Sequence, residues 1–439
     1  MECEKGLKVS EDVVCPFCGC LCDDIKVTFQ DDEITRLANS CAISIAKFQH
    51  YKEDRIPSPL IRENGQSSSV SLEEAVKETS KILVNARYPL LYGWSSTSCE
   101  ALKVGIELAE ELGGVIDNTT TTCHGPTILG VQDVGESTCT LGEVKHRADL
   151  VVYWGSNPVH AHPRHLTRYT LTPKGKFRAA RKDRVLVVID VRKTSTARQA
   201  DCFIQVEPNK DYELLSALRM AIKFEEIEQV IVAGIPKEQI EELADLLISC
   251  QFGVIFFGLG LTMSSGKERN IEAALSLVRD LNRKTKFNIM PMRGHFNVTG
   301  ANKVTTWQTG FPYAVDLTKG YPSYNPGATT ALDILNRGEC DAVLIVASDP
   351  LAHAPKTAVQ NLLKIPVITI DPRISLTSLI AKVAIPTALV GIEAEGVAYR
   401  MDGIPKILKK ITNPPAGFVS DVEVLKMILK EVRKQKGAS

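Results

Sequence analysis

A thiol and an imidazole stand side by side in Cys123-His124-Gly125-Pro126, where a polar Thr119–Thr122 run meets a Gly-Pro turn. A soft thiolate there can ligate a metal or act as a nucleophile; for the pair alone, a half-buried cysteine with an incidental neighbour is the plainer alternative. A second set lies near the N-terminus. Cys15, Cys18, Cys22 and Cys41 follow a C-x2-C-x3-C-x18-C spacing, with Cys20 as an extra thiol inside the loop. Structural zinc usually takes two C-x2-C knuckles. Here the second is missing, so the spacing favours an iron–sulfur cluster. Pro16 and Gly19 keep the loop tight, which lets backbone N–H groups point at cluster sulfurs.

The elements that must position these groups are short β-branched runs alternating with amphipathic helical stretches, the pattern of an α/β protein with parallel sheets. The pattern predicts strands over 150–154, 185–190, 254–257, 342–346 and 367–370, and helices over 72–85, 99–112, 211–224, 267–282 and 358–363. An internal repeat stands out. Asp149 to Pro158 (DLVVYWGSNP) parallels Asp341 to Pro350 (DAVLIVASDP), each copy has a further proline at Pro163 or Pro355, and Asp190-Val-Arg192 answers Asp371-Pro-Arg373. Two related α/β halves follow.

In open parallel sheets a ligand sits beyond the carboxyl ends of the strands. The loops Gly155-Ser156-Asn157 and Ala347-Ser348-Asp349 occupy such ends, with Asp190 and Asp371 after the next strands placed to take ribose hydroxyls or guanine N–H groups. Asn157 and Asp349 taken singly would read as turn or N-cap residues; the repetition favours two dinucleotide-like ligands. Gly258-Leu-Gly260, between a strand and a helix, adds a looser anion-binding loop.

The 439 residues are 44% hydrophobic and 24% charged, enough for two or three domains with separate cores. Basic and acidic residues balance at 52 each, which points away from nucleic acid and from an anionic membrane as partners. The basic run Lys174–Arg184 reads as a solvated surface insertion. No stretch of about 18 apolar residues predicts membrane insertion, and the acidic N-terminus lacks a secretory apolar core. A cytoplasmic protein is expected, with its twelve cysteines serving as reduced thiols and metal ligands.

Taken in order, these motifs resemble the molybdenum and tungsten bis-pterin oxidoreductases, in particular the formate dehydrogenases and the B subunits of formylmethanofuran dehydrogenases. The resemblance covers nearly the whole chain. It rests on the cysteine quartet, Cys123-His124-Gly125-Pro126, Gly155-Ser-Asn157-Pro158 with His162-Pro163, Asp190-x-Arg192-x-Thr194, Pro208-x-x-Asp211 and Gly258-Leu-Gly260. Arg293-Gly294-x-x-Asn297-Val298-x-Gly300 and Ala381-x-Val383-x-Ile385-Pro386, leading to Glu393-x-x-Gly396, complete it.

The resemblance implies that Cys123 ligates tungsten or molybdenum, that His124 and Arg293 face the substrate, and that Cys15, Cys18, Cys22 and Cys41 hold a [4Fe-4S] cluster. Two molybdopterin guanine dinucleotides would be gripped by Gly155, Ser156, Asn157, His162, Asp190, Arg192, Asp211, Gly258, Gly260, Asn297, Ser348, Asp349 and Asp371. The implied fold is an iron–sulfur domain (1–57 with 386–412), two pseudo-symmetric Rossmann-like pterin domains (58–141 with 290–385, and 142–289) and a C-terminal helix (413–439), without the C-terminal β-barrel of formate dehydrogenases.

The implied activity is reversible reduction of CO2 to formate with ferredoxin-type electrons, the first step of methanogenesis. Formate would pass to a zinc amidohydrolase-like subunit, a small subunit would supply the barrel, and polyferredoxin or ferredoxin-type subunits would deliver electrons. A formate dehydrogenase catalytic chain is the near alternative. A cofactor-free scaffold of a formyltransferase/hydrolase complex is the alternative of another class. Two departures are notable. Many formate dehydrogenases carry a lysine two residues after the fourth cysteine, whereas here the nearest is Lys47, which leaves the electron bridge open; and Pro208-Asn-Lys-Asp211 replaces the usual Pro-Gly-Thr-Asp, which predicts a changed loop geometry.

Overall fold

Ten strands build two parallel sheets: β1 (Pro89–Gly93), β2 (Val115–Asn118), β3 (Leu150–Trp154), β4 (Val185–Asp190), β5 (Cys202–Gln205), β6 (Phe252–Phe257), β7 (Lys286–Pro291), β8 (Ala342–Val346), β9 (Val367–Ile370) and β10 (Val383–Ile385). The structure is a computed structural model that describes residues 7–30 and 33–437; the first six residues of the acidic N-terminal segment lie outside them. Strands β1, β3, β6 and β8 are buried along their whole length, as a parallel sheet covered on both faces requires. The expected strands all form. The helices over 211–224 and 267–282 are trimmed to Asp211–Ile222 and Glu268–Leu281, where Phe224 and Lys267 take positive φ.

The chain divides into two units, one formed by residues 1–122, 295–400 and 405–439, the other by 123–294 and 401–404. The second unit's sheet has the order β5-β4-β3-β6-β7. The first unit's sheet contains β10-β9-β8-β1-β2, the same order, extended by short antiparallel strands at both edges. The likeness reaches single side chains. Asp149 accepts hydrogen bonds from the N–H groups of Gln251 and Phe252 entering β6, and Asp341 accepts from Arg87 and Tyr88 entering β1.

The unit boundaries fall at 122/123 and 294/295, where the sequence led us to expect 141/142 and 289/290. Packing explains the shift. Gly130 in helix Gly125–Val134 has Ile271 of helix Glu268–Leu281 so close that a Cβ would lie 2.9 Å away, and β7 pairs in register with β6 through Pro291. The cysteine loop and residues 386–400 belong to the first unit, as do 405–412, with Val14 and Leu21 packing against Phe296, Ala398 and Leu408. The C-terminal helix Asp421–Gly437 sends Val424, Leu425, Ile428, Leu429 and Val432 into the core beneath helix Leu72–Asn85. Arg184, at the end of the basic run, is buried rather than solvated and donates to the carbonyls of Thr170 and Lys145.

Candidate functional site

In the second unit, Cys123 and His124 lead into helix Gly125–Val134 while Arg293 follows β7, and the fold brings all three together. The Thr262 hydroxyl donates to the Cys123 carbonyl at 3.1 Å. Burial pushes the Cys123 thiol up to about 11, and the positive charge of Arg293 works against that rise. His124 has no solvent exposure, its Nδ1 lies 2.9 Å from Thr127 Oγ1, and its ring meets Phe257 edge-on. Burial first, then Arg293, hold its pKa down at about 3, so the imidazole is neutral. Burial also lowers Arg293 from its ordinary value, with Glu136 and Cys123 opposing. Glu136, on the loop after helix Gly125–Val134, is therefore a charge partner that motif reading missed; no spacing signal marked it.

His162 is buried and its Nε2 lies 2.9 Å from the Arg293 carbonyl. Gly155 takes φ +54° at the end of β3, and a Cβ there would sit 2.8 Å from the Gly260 Cα, so both glycines are needed for loop to pack on loop. Gly258 donates its N–H to the Trp154 carbonyl and Gly260 to that of Gly155. Ser156 is buried beneath this contact. Asn157 Oδ1 accepts from both the N–H and hydroxyl of Thr196, and Asp349 Oδ1 accepts from both groups of Thr377. The paired residues thus tie each loop to the turn beyond the next strand. Asp190 and Asp371 likewise accept from the N–H of Arg192 and Arg373.

Asp211 is buried, and its carboxylate accepts from Trp154 Nε1 at 2.8 Å. Asn297, with no exposure, gives its amide N–H to the Thr97 carbonyl and accepts from the Tyr399 N–H. Both serve as internal braces here. Asn209, in place of the glycine of the family loop, adopts φ +65°, the left-handed conformation that asparagine tolerates best after glycine, so the loop keeps a glycine-like turn.

In the first unit, a cavity of about 560 Å³ opens at the carboxyl ends of β8 and β9, lined among others by Ala347, Asp371, Arg373, Lys47, His295 and Phe17. Ser348 and Asp349 follow directly from Ala347, which takes φ +49° as Gly155 does in the other unit. The cysteine loop adjoins. The Cys15 N–H donates to the Cys22 carbonyl and the Leu21 N–H to that of Cys18, while Cys41 stands at the N-cap position of helix Ala42–Gln49. Burial pushes the Cys15 thiol far up, a hydrogen bond to Ser44 opposes the rise, and the neighbouring Cys18, Cys22 and Cys41 add to it. Among the described residues no three such side chains already stand as a single-ion site, so the quartet's fit to a polynuclear cation rests on four soft thiols of one neighbourhood and on Cys41 at a helix N-terminus, which suits anionic sulfurs. Cys20 is buried beside Cys18, and the charge of Lys47, its ammonium 5.3 Å above the Phe17 ring, favours the Cys18 thiolate.

Residues 55–431 match the molybdopterin oxidoreductase family. The chain is 51% identical over 432 residues to the B subunit of the tungsten-containing formylmethanofuran dehydrogenase 2 of Methanocaldococcus jannaschii, spanning 98% of this chain and 99% of that one. The chain is a molybdopterin oxidoreductase of the family of formylmethanofuran dehydrogenase B subunits. Solved structures of lower identity share this fold. One is from the formyltransferase/hydrolase complex of Methylorubrum extorquens (TM-score 0.70, 23% identity, 87% of this chain and 100% of that one). Another is acetylene hydratase from Pelobacter acetylenicus (TM-score 0.72, 13% identity, 97% of this chain and 70% of that one).

The residues of this oxidoreductase fit the groups its family name implies. A thiol within reach of a guanidinium's charge suits a soft metal that needs a thiolate ligand, and paired glycines let two loops pack backbone to backbone at strand ends of the kind that take nucleotides in open sheets. Among the described residues, no helix is long and apolar enough to cross a membrane.

Proposed function

We propose that this oxidoreductase is the catalytic redox subunit of a formylmethanofuran dehydrogenase, interconverting CO2 and formate at tungsten or molybdenum held by Cys123 and two molybdopterin guanine dinucleotides. The observation that carries this reading is the convergence of Cys123, His124 and Arg293, a soft ligand beside a neutral imidazole and a guanidinium. The tungsten named in the Methanocaldococcus jannaschii relative supports it. Bound metal and pterins supply the two-electron chemistry.

The chain's own groups bind and orient. Arg293 presents a planar fork to the formate carboxylate. Neutral His124 offers a hydrogen bond without adding charge, which makes it an orienting group rather than a store of protons. Burial around both keeps water away from the carboxylate. One nucleotide is read as gripped in the second unit through Gly155, Ser156, Asn157, Asp190, Arg192, Gly258 and Gly260, and the other in the first through Ser348, Asp349 and Asp371.

Cys15, Cys18, Cys22 and Cys41 are read as ligands of a [4Fe-4S] cluster; the family match begins only at residue 55, so this rests on the thiols themselves. Lys47, which bears on Cys18 and lines the neighbouring cavity, takes the bridging place left open by the sequence. The reading includes a cytoplasmic complex in which partner subunits supply a zinc site, a pterin-covering barrel and ferredoxin-type clusters.

The test is formate oxidation with a viologen acceptor by the purified complex carrying Cys123→Ala, with metal analysis. The variant is expected to lose activity and tungsten or molybdenum while retaining iron. Near-normal turnover would refute Cys123 as ligand.

A further inference from the structure

The Arg293 carbonyl can only accept, so His162 must carry its proton on Nε2, the nitrogen 2.9 Å from that oxygen. His162 Nδ1 is then a bare lone pair, buried with no hydrogen-bond partner, and burial holds the ring neutral. The rest of the arginine's backbone is fixed too. Its N–H donates to the Pro291 carbonyl at 3.1 Å, and the preceding Met292 N–H donates to Phe257 at 2.8 Å. Behind His162 lies a stiff wall, in which His165 Nδ1 is 2.7 Å from the Tyr153 hydroxyl and Tyr153 stacks on Phe256.

The internal repeat separates what the fold needs here from what it does not. His162 aligns with Ala354, one residue before the paired prolines Pro163 and Pro355. The two backbones make the same closing bond, His162 N–H to the Pro158 carbonyl and Ala354 N–H to Pro350, each at 2.8 Å. Alanine therefore suffices to build this loop. The imidazole is an addition confined to the unit that carries Arg293.

We propose that His162 is a positioning residue for Arg293, its Nε2–H gripping the arginine's carbonyl so that the guanidinium is held in place for a small carboxylate. The grip also links the Gly155–His162 loop, which leaves the end of β3, to the substrate arginine. This rests on the reading that Arg293 binds formate.

The experiment compares the complex carrying His162→Ala, His162→Gln, Arg293→Lys and the His162→Ala/Arg293→Lys pair. It measures kcat and KM for formate, the formate-induced rise in melting temperature, and tungsten, molybdenum and iron content. His162→Ala is expected to keep its metals, to raise KM about tenfold, the effect of losing one buried hydrogen bond, and to weaken the formate-induced rise, with kcat changed less. Glutamine places an N–H near the former Nε2 position and is expected to recover most of the loss. The double variant is expected to be little worse than Arg293→Lys.

Unchanged KM in His162→Ala, or losses that add fully in the double variant, would overturn the proposal. Metal loss in both His162 variants would also overturn it, making the residue a cofactor contact. An ineffective Arg293→Lys would instead overturn the reading of Arg293 itself.

Discussion

Replacing Arg293 by lysine keeps a formal positive charge, yet two features indicate a large loss. A lysine ammonium is a point charge that can make one of the two parallel bonds available to a guanidinium. A hydrogen bond to a charged group contributes about 1.5–3 kcal/mol, and each 1.36 kcal/mol is about tenfold in rate, so the missing bond alone predicts a fall of roughly 10- to 150-fold in kcat/KM. Burial then acts on the substitute. It already lowers Arg293, a group that starts high enough to stay charged, whereas lysine starts at about 10.4 and moves toward the working range. A lysine so shifted is charged below its lowered pKa and neutral above it. The activity of Arg293→Lys relative to the native enzyme should therefore fall as pH rises, with Glu136 moderating the decline. Steady-state formate oxidation from about pH 6 to 9, with metal and iron content measured on the same samples, is the assay. A loss under threefold, or a deficit that shrinks with rising pH, would refute the argument; a metal-poor variant would move Arg293 from substrate binding to cofactor retention.

Cys22→Ala should remove the iron–sulfur signal in electron paramagnetic resonance, whereas Cys20→Ser, which leaves all four proposed ligands, should retain most of the iron; equal losses would mean a different quartet. Asp371 is raised to about 7, chiefly by burial, above an unfolded value of about 3.9. Its contribution to stability is therefore complete below about pH 3.9 and is lost as pH rises through about 7. Melting temperatures of the cofactor-free chain should accordingly decline between about pH 4 and 8, and Asp371→Asn should flatten that decline. Parallel curves for the two would show that Asp371 does not titrate in that window.

Much of this architecture was legible because parallel strands are buried on both faces and must be apolar throughout, as Leu150–Trp154 and Ala342–Val346 are. The repeat was visible in sequence only around β3–β4 and β8–β9, where Asp149, Asp341, Asn157 and Asp349 each make specific backbone bonds that fix their identity. The equivalence of β6–β7 with β1–β2 left no such trace. Those strands need only be apolar, and in the first unit they precede their partners in the chain while in the second they follow.

The site divides along the same line. Cys123 and the quartet announced themselves by thiol chemistry and spacing. Glu136 did not, since an exposed glutamate on a loop carries no motif and its bearing on Arg293 arises only when helix Gly125–Val134 packs on helix Glu268–Leu281. Asn297 and Asp211 show the converse case. Both belong to recognisable motifs, yet their polar atoms are taken up by Thr97, Tyr399 and Trp154. A motif residue can thus mark a site by holding the loops that build it, and whether it also touches the ligand depends on which of its lone pairs and protons the fold leaves open.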